Sequence, residues 1–139
     1  MLHRLLVACA LALGILALPA LAQTAPPDPA RQLIEKQLDA FAHDDAVAAY
    51  ALAAPRIKAI FPDPNIFMAM VATGYPALYH HRNVEFGPAD VKDDTIGQGV
   101  TFTDSDGQVW TALYELEKQS DGQWAIAGCV MAKSTDKAL

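Results

Sequence analysis

Residues 108–131 read "QVWTALYELEKQSDGQWAIAGCVM", and the choice of fold turns on them. Apolar and polar side chains alternate on both sides of Ser120-Asp121-Gly122, the rhythm of two strands joined by a turn. Trp110, Ala112, Tyr114 and Leu116 fall on one face, while Glu115 and Glu117 fall on the opposite, solvated one. Asp-Gly between such runs marks a two-residue hairpin, because both positions can reach positive φ. The same word, "SDGQ", stands at residues 105–108 and again at 120–123, each time followed closely by a tryptophan, Trp110 or Trp124. Two tight hairpins of this kind are therefore expected. "DSDG" at 104–107 imitates the start of a calcium loop, but the further oxygen ligands and the terminal glutamate that such a loop needs are missing.

Two more strand segments precede this pair, "ALYHHRNVEF" (77–86) and "GQGVTFT" (97–103), making an antiparallel meander of about four strands. Upstream of Gly74 the rhythm changes to 3.6. Asp28 followed by Pro29 offers a capping oxygen and a proline at the first helical position. Leu33, Ile34, Gln37, Leu38, Phe41 and Ala42 then form one stripe, with Arg31, Glu35, Lys36 and Asp39 on the other side. Asp44 and Asp45 stop this helix and cap a second, "AVAAYALAA" (46–54), which Pro55 ends. "PRIKAIFPDP" (55–64) suits one helical turn or an irregular extended piece. Asp63-Pro64 repeats the cap-and-proline device and opens a third helix, "NIFMAMVAT" (65–73), with Phe67, Met70 and Val71 on one stripe and Gly74 as its stop. Helices followed by antiparallel strands predict an α+β domain, three N-terminal helices packed on one face of the sheet.

The first 22 residues have a different purpose. Arg4 precedes an apolar run of 14 residues, Leu5 to Leu18, and Ala20-Leu21-Ala22 supplies a small-x-small cleavage pattern. That run is short of the roughly 20 residues a membrane span needs. The expectation is a Sec-type signal peptide cut after Ala22 and a periplasmic or secreted protein, with no membrane attachment once it is cleaved. Residues 23–30 form a Pro-rich leader, 31–132 a single domain and 133–139 a polar tail. Removing 22 of 139 residues leaves 117, with 9 basic and 16 acidic side chains and a net charge of about −7. Scattered acidic charge excludes a nucleic-acid partner. Cys9 leaves with the signal peptide, so Cys129 stands alone among apolar neighbours, either buried or paired between chains.

His80 and His81 are the most reactive-looking pair. On a strand over 79–86, His80 points with Arg82, Val84 and Phe86, and His81 with Tyr79, Asn83 and Glu85. Neighbours on a strand cannot close on one ion, so no metal site follows from the pair. A half-buried His80 beside a cleft could act as a base, whereas His81 reads as solvent-facing. His43, at a helix end, reads as exposed. No G-x-S-x-G, phosphate-binding loop or Cys/His spacing occurs, and no cofactor is implied.

Taken together, "FPDPNIFMAMV", Gly74-Tyr75-Pro76, Asp121-Gly122 leading to Trp124, and Gly128-Cys129 resemble a bacterial family known as domain of unknown function 4864, from about Gln37 to Cys129. Its layout is similar to the nuclear-transport-factor-2-like superfamily. That resemblance implies a cone in which a curved sheet wraps around helices and leaves a pocket between them. It implies no catalytic residues. The expected function is a non-enzymatic module that binds a small apolar or aromatic ligand or a partner chain, with Tyr75, Tyr79, His80, Trp110 and Tyr114 as candidate ligand-binding residues. The alternatives are a pocket enzyme doing proton-transfer or hydrolytic chemistry with His80 as base, and a homodimer formed through the open face of the sheet.

Overall fold

Three aspartates start three helices. Asp28 Oδ1 accepts from the backbone N–H of Ala30 and Arg31, Asp45 Oδ1 from that of Ala48, and Asp63 Oδ1 from those of Asn65 and Ile66, at 2.7–3.3 Å. Each satisfies donors that the first helical turn leaves orphaned. The computed structural model describes residues 28–135. It runs α1 (Pro29–Ala42), α2 (Ala46–Ala51), α3 (Pro55–Ile60), α4 (Pro64–Gly74) and α5 (Pro76–Tyr79), then β1 (His81–Lys92), β2 (Thr95–Asp104), β3 (Val109–Lys118) and β4 (Trp124–Lys133). The expected signal peptide and cleavage site lie outside the described residues. Of the expected leader, Pro29 and Ala30 belong to α1.

The α+β class is as expected, with helices first and then a four-stranded antiparallel sheet in the order β1-β2-β3-β4. The helix count differs, because "PRIKAI" and "PALY" are short helices of their own. The first strand therefore starts at His81 rather than Ala77. Pro76 presets a helical φ, and the N–H groups of Leu78 and Tyr79 close back on the Tyr75 carbonyl. The same strand runs on to Lys92, past Gly87 and Pro88, which read locally as breakers. They fit because β1 is an edge strand with a register shift between Phe86 and Ala89. The buried amide of Gln98 secures that bulge, donating to the Gly87 and Gly99 carbonyls at 2.8 Å each.

Both "SDGQ" words form hairpin turns, but not two-residue ones. The N–H of Asp104 bonds the Gln108 carbonyl at 2.9 Å, and the N–H of Gln119 bonds the Gln123 carbonyl at 2.7 Å. Three residues lie inside each closure. Only the glycine of each is left-handed, Gly107 and Gly122 both at φ 81°. A turn closed by a left-handed glycine matches the strand twist without forcing an aspartate to positive φ.

The inner face of the sheet carries Ile96, Val100, Phe102, Ala112, Tyr114, Leu116 and Ile126, all buried against Ile34, Leu38 and Phe41 of α1 and Phe67 and Val71 of α4. Another register shift breaks the alternation in β4, since Leu116 faces Ile126 and Glu115 faces Gly128. Ala127 is the extra residue. It resets the parity, so Cys129 faces Tyr114 and Met131 faces Ala112 on the inner side. Arg56 holds the bulge from outside, its Nε donating to the Ala127 carbonyl at 3.0 Å and its Nη2 reaching Glu115 at 3.0 Å. The chain between α2 and α3 adds a parallel bridge, Ala53 to Ile126.

Candidate functional site

Between residues of α1, α3, α4 and α5 and the strands β3 and β4, the inner side of the sheet is incompletely filled. A cavity of about 210 Å3 remains. Its floor is formed by the buried side chains of Phe41, Phe67, Val71, Leu78 and Ile126. Half-buried Ile57, Phe61, Met70 and Tyr75 form its rim. Protein cores rarely leave such a void, and an apolar cavity of roughly 150 Å3 already accepts benzene. The aromatic floor is locked in place, with the Phe41 and Phe67 ring centres 6.5 Å apart and Phe61 edge-on to Phe67 at 6.2 Å.

Few polar groups interrupt this lining. Gln37 projects from α1 and is 4% exposed, and no hydrogen bond is made by its side chain among the described residues. Tyr114 of β3 is fully buried, and its hydroxyl has no hydrogen-bond partner among the described residues. Cys129 is its cross-strand neighbour, but that thiol turns toward the Val130 carbonyl at 3.9 Å. The Tyr75 hydroxyl is satisfied by the Cys129 carbonyl at 3.3 Å. Burial pushes the Tyr114 phenol well above its ordinary value, and the adjacent Cys129 adds to the shift. Burial likewise pushes the Cys129 thiol up to about 12, with the neighbouring Tyr114 hydroxyl opposing the shift. Both groups are therefore protonated and neutral near pH 7. A neutral phenol donates a hydrogen bond, and a thiol kept from ionising is a poor nucleophile.

The five residues singled out from the sequence divide among three places. Tyr75 and Tyr114 line the cavity. Trp110 borders a separate pocket of about 290 Å3 with Pro76 and Met131, and its indole N–H donates to Asp104 Oδ2 at 2.9 Å. Tyr79 and His80 border an open surface hollow with His81 and Arg82. The expected faces of the two histidines are reversed. His80 follows α5, outside the strand, and is exposed, with its ring edge-on to Tyr79 at 4.8 Å. His81 begins β1 and packs edge-on against the buried Phe102 at 5.7 Å. A register shift between His81 and Asn83 puts His81, not His80, beside Val84 and Phe86. Tyr79 donates to the Asp44 carboxylate, which ties α5 to the α1–α2 turn.

Gln37, Phe41, Phe67, Met70 and Cys129 also line the cavity and were not singled out. For Gln37 a signal existed, since it interrupts an otherwise apolar stripe of α1. For Cys129 none did, because its side depends on the Ala127 bulge. Among the described residues no cluster of three or more His, Cys, Asp or Glu could hold a metal ion, and no helix is long and apolar enough to cross a membrane.

The family model described as "Domain of unknown function (DUF4864)" matches residues 24–139. A search of the curated proteins finds no match. Among solved structures, the chain is similar to an NTF2-like protein of unknown function from Silicibacter pomeroyi DSS-3, with a TM-score of 0.53 and 15% identity over 76% of this chain and 93% of that one. An NTF2-like protein of unknown function from Shewanella baltica OS155 gives a TM-score of 0.48 and 8% identity over 76% of this chain and 91% of that one. At such identity the first likeness concerns the fold alone.

Proposed function

This chain belongs to the family of domain of unknown function 4864 and has an NTF2-like fold, and from that premise we propose that it is a non-enzymatic module that binds a small apolar ligand between helices and sheet. The observation that carries this reading is a cavity of about 210 Å3 with apolar walls and, among the described residues, no Asp, Glu, His, Lys or Arg in its lining. Burial of hydrocarbon in such a space is favourable at roughly 25 cal/mol per Å2. Scaling from benzene in about 150 Å3, the space suits a molecule of roughly eight to ten non-hydrogen atoms. The catalytic alternative has less behind it, because His80 is exposed and stands outside the cavity.

The reading includes export, with the N-terminal segment cut after Ala22. Sequencing the N-terminus of the exported protein tests this, and a chain beginning elsewhere than Gln23 contradicts it. For the ligand, native mass spectrometry of protein purified without denaturant from its own cells is the test. A bound neutral species of low mass supports the reading, and occupancy by a macromolecular partner in its place counts against it. A second copy is the other reading a specific observation favours. Leu113 and Val130 are 54% and 66% exposed and face each other across β3 and β4 on the outer side of the sheet. Sedimentation velocity of the wild type against Leu113→Glu reads this out: a dimer that the substitution dissociates supports it, and a wild-type monomer removes it.

A further inference from the structure

Two amide side chains are buried among the described residues, and they are treated differently. Gln98, 1% exposed, donates to two backbone carbonyls and so is satisfied by the protein itself. Gln37, 4% exposed, lines the cavity and finds no such partner among the described residues. Tyr114 lines the same cavity, fully buried, with its hydroxyl unpaired among the described residues. The Tyr114 oxygen is the one buried side-chain polar atom left without a hydrogen bond among the described residues, and leaving such a group unpaired is costly, whereas the Gln37 amide beside it makes no bond to the protein. Between them these side chains offer one O–H and two N–H donors to the cavity. Both could have been apolar without loss of packing, as Phe and Leu have similar shapes.

Charge narrows the class further. With no charged side chain in the lining among the described residues, a carboxylate or ammonium would be buried there without a counter-charge. Resting on the binding reading above, we propose that the ligand is a small neutral carbonyl compound whose oxygen accepts hydrogen bonds from Tyr114 and Gln37. Its hydrocarbon body lies against Phe41, Phe67 and Val71. The ligand then supplies the acceptor that the fold omits at Tyr114, and that hydroxyl with the Gln37 amide gives the cavity its selectivity. Purely apolar molecules of the same shape enter the same space and leave those donors unmet.

The test uses two probes of equal shape, acetophenone and α-methylstyrene, the second carrying a methylene where the first has its oxygen. A dry apolar cavity prefers α-methylstyrene, because the carbonyl must be stripped of water without replacement. In calorimetric titration the wild type should bind acetophenone at least as tightly as α-methylstyrene. Tyr114→Phe should weaken acetophenone roughly tenfold or more and leave α-methylstyrene unchanged or tighter. Gln37→Leu is the second variant and should act in the same direction. An unchanged ratio of the two affinities across all three proteins overturns the carbonyl proposal while leaving the cavity reading intact. Failure of the wild type to bind either probe overturns both.

Discussion

Tyr114 sits where packing and polarity conflict. Its ring fills the centre of the inner sheet face, and its hydroxyl has no partner among the described residues. Removing that hydroxyl removes a desolvation cost without opening a hole. Tyr114→Phe is therefore expected to raise the unfolding free energy by about 1 kcal/mol in urea denaturation. A comparable loss would mean that the hydroxyl is bonded in solution. Cys129 makes a prediction in pH. Its folded value is about 12 against an ordinary 9.0, so the unfolded chain loses this proton first. The stability it contributes is complete below pH 9 and declines as pH rises from 9 to 12. Cys129→Ala should flatten that part of the alkaline decline, and the folded wild type should resist alkylation at pH 8 until denatured. Part of this site could be read in advance. Tyr75 and Tyr114 were named, and Gln37 stood out of place on an apolar stripe. Alternation assigns a face only within an uninterrupted strand. Pro76 alone, without a capping side chain, opens α5, and the bulge after His81 has no local sequence signature, so the side of His80 does not follow from the sequence.

Among the elements, the turns and caps make the firmest predictions. Gly122 holds φ 81° and nothing lies within 4 Å of where a Cβ would be, so Gly122→Ala tests backbone conformation free of any clash. It should cost about 1–2 kcal/mol in thermal unfolding. Asp63 caps α4, which carries Phe67, Met70 and Val71 to the cavity, and Asp63→Ala should cost about 1 kcal/mol. The starts of α1, α2 and α4 and the positions of the two "SDGQ" hairpins, though not their length, were legible because each rests on chemistry within four residues: an aspartate, a proline, a glycine. What could not be read were the bulges at Gly87-Pro88 and at Ala127. The insertion of Ala127 depends on Arg56, 71 residues away in sequence, holding its carbonyl. The persistence of β1 through Gly87 and Pro88 depends on the Gln98 amide in the neighbouring strand. Interactions between distant segments decide both, and a window on one segment does not contain them.

At the scale of the molecule, the sheet and helices meet around a space rather than closing on it. Three of the chain's four methionines report on where a small molecule goes. Met70 stands on the cavity rim, Met68 is buried outside its lining, and Met131 borders the separate pocket beside Trp110. The most direct measurement is a carbon–proton spectrum of protein labelled at the methionine methyls, titrated with toluene. Binding in the cavity should give a saturable shift of the Met70 methyl, with Met68 and Met131 little changed. A Met70 signal that stays in place up to the solubility limit of toluene, or a saturable shift of Met131 in its stead, would contradict a ligand site between helices and sheet.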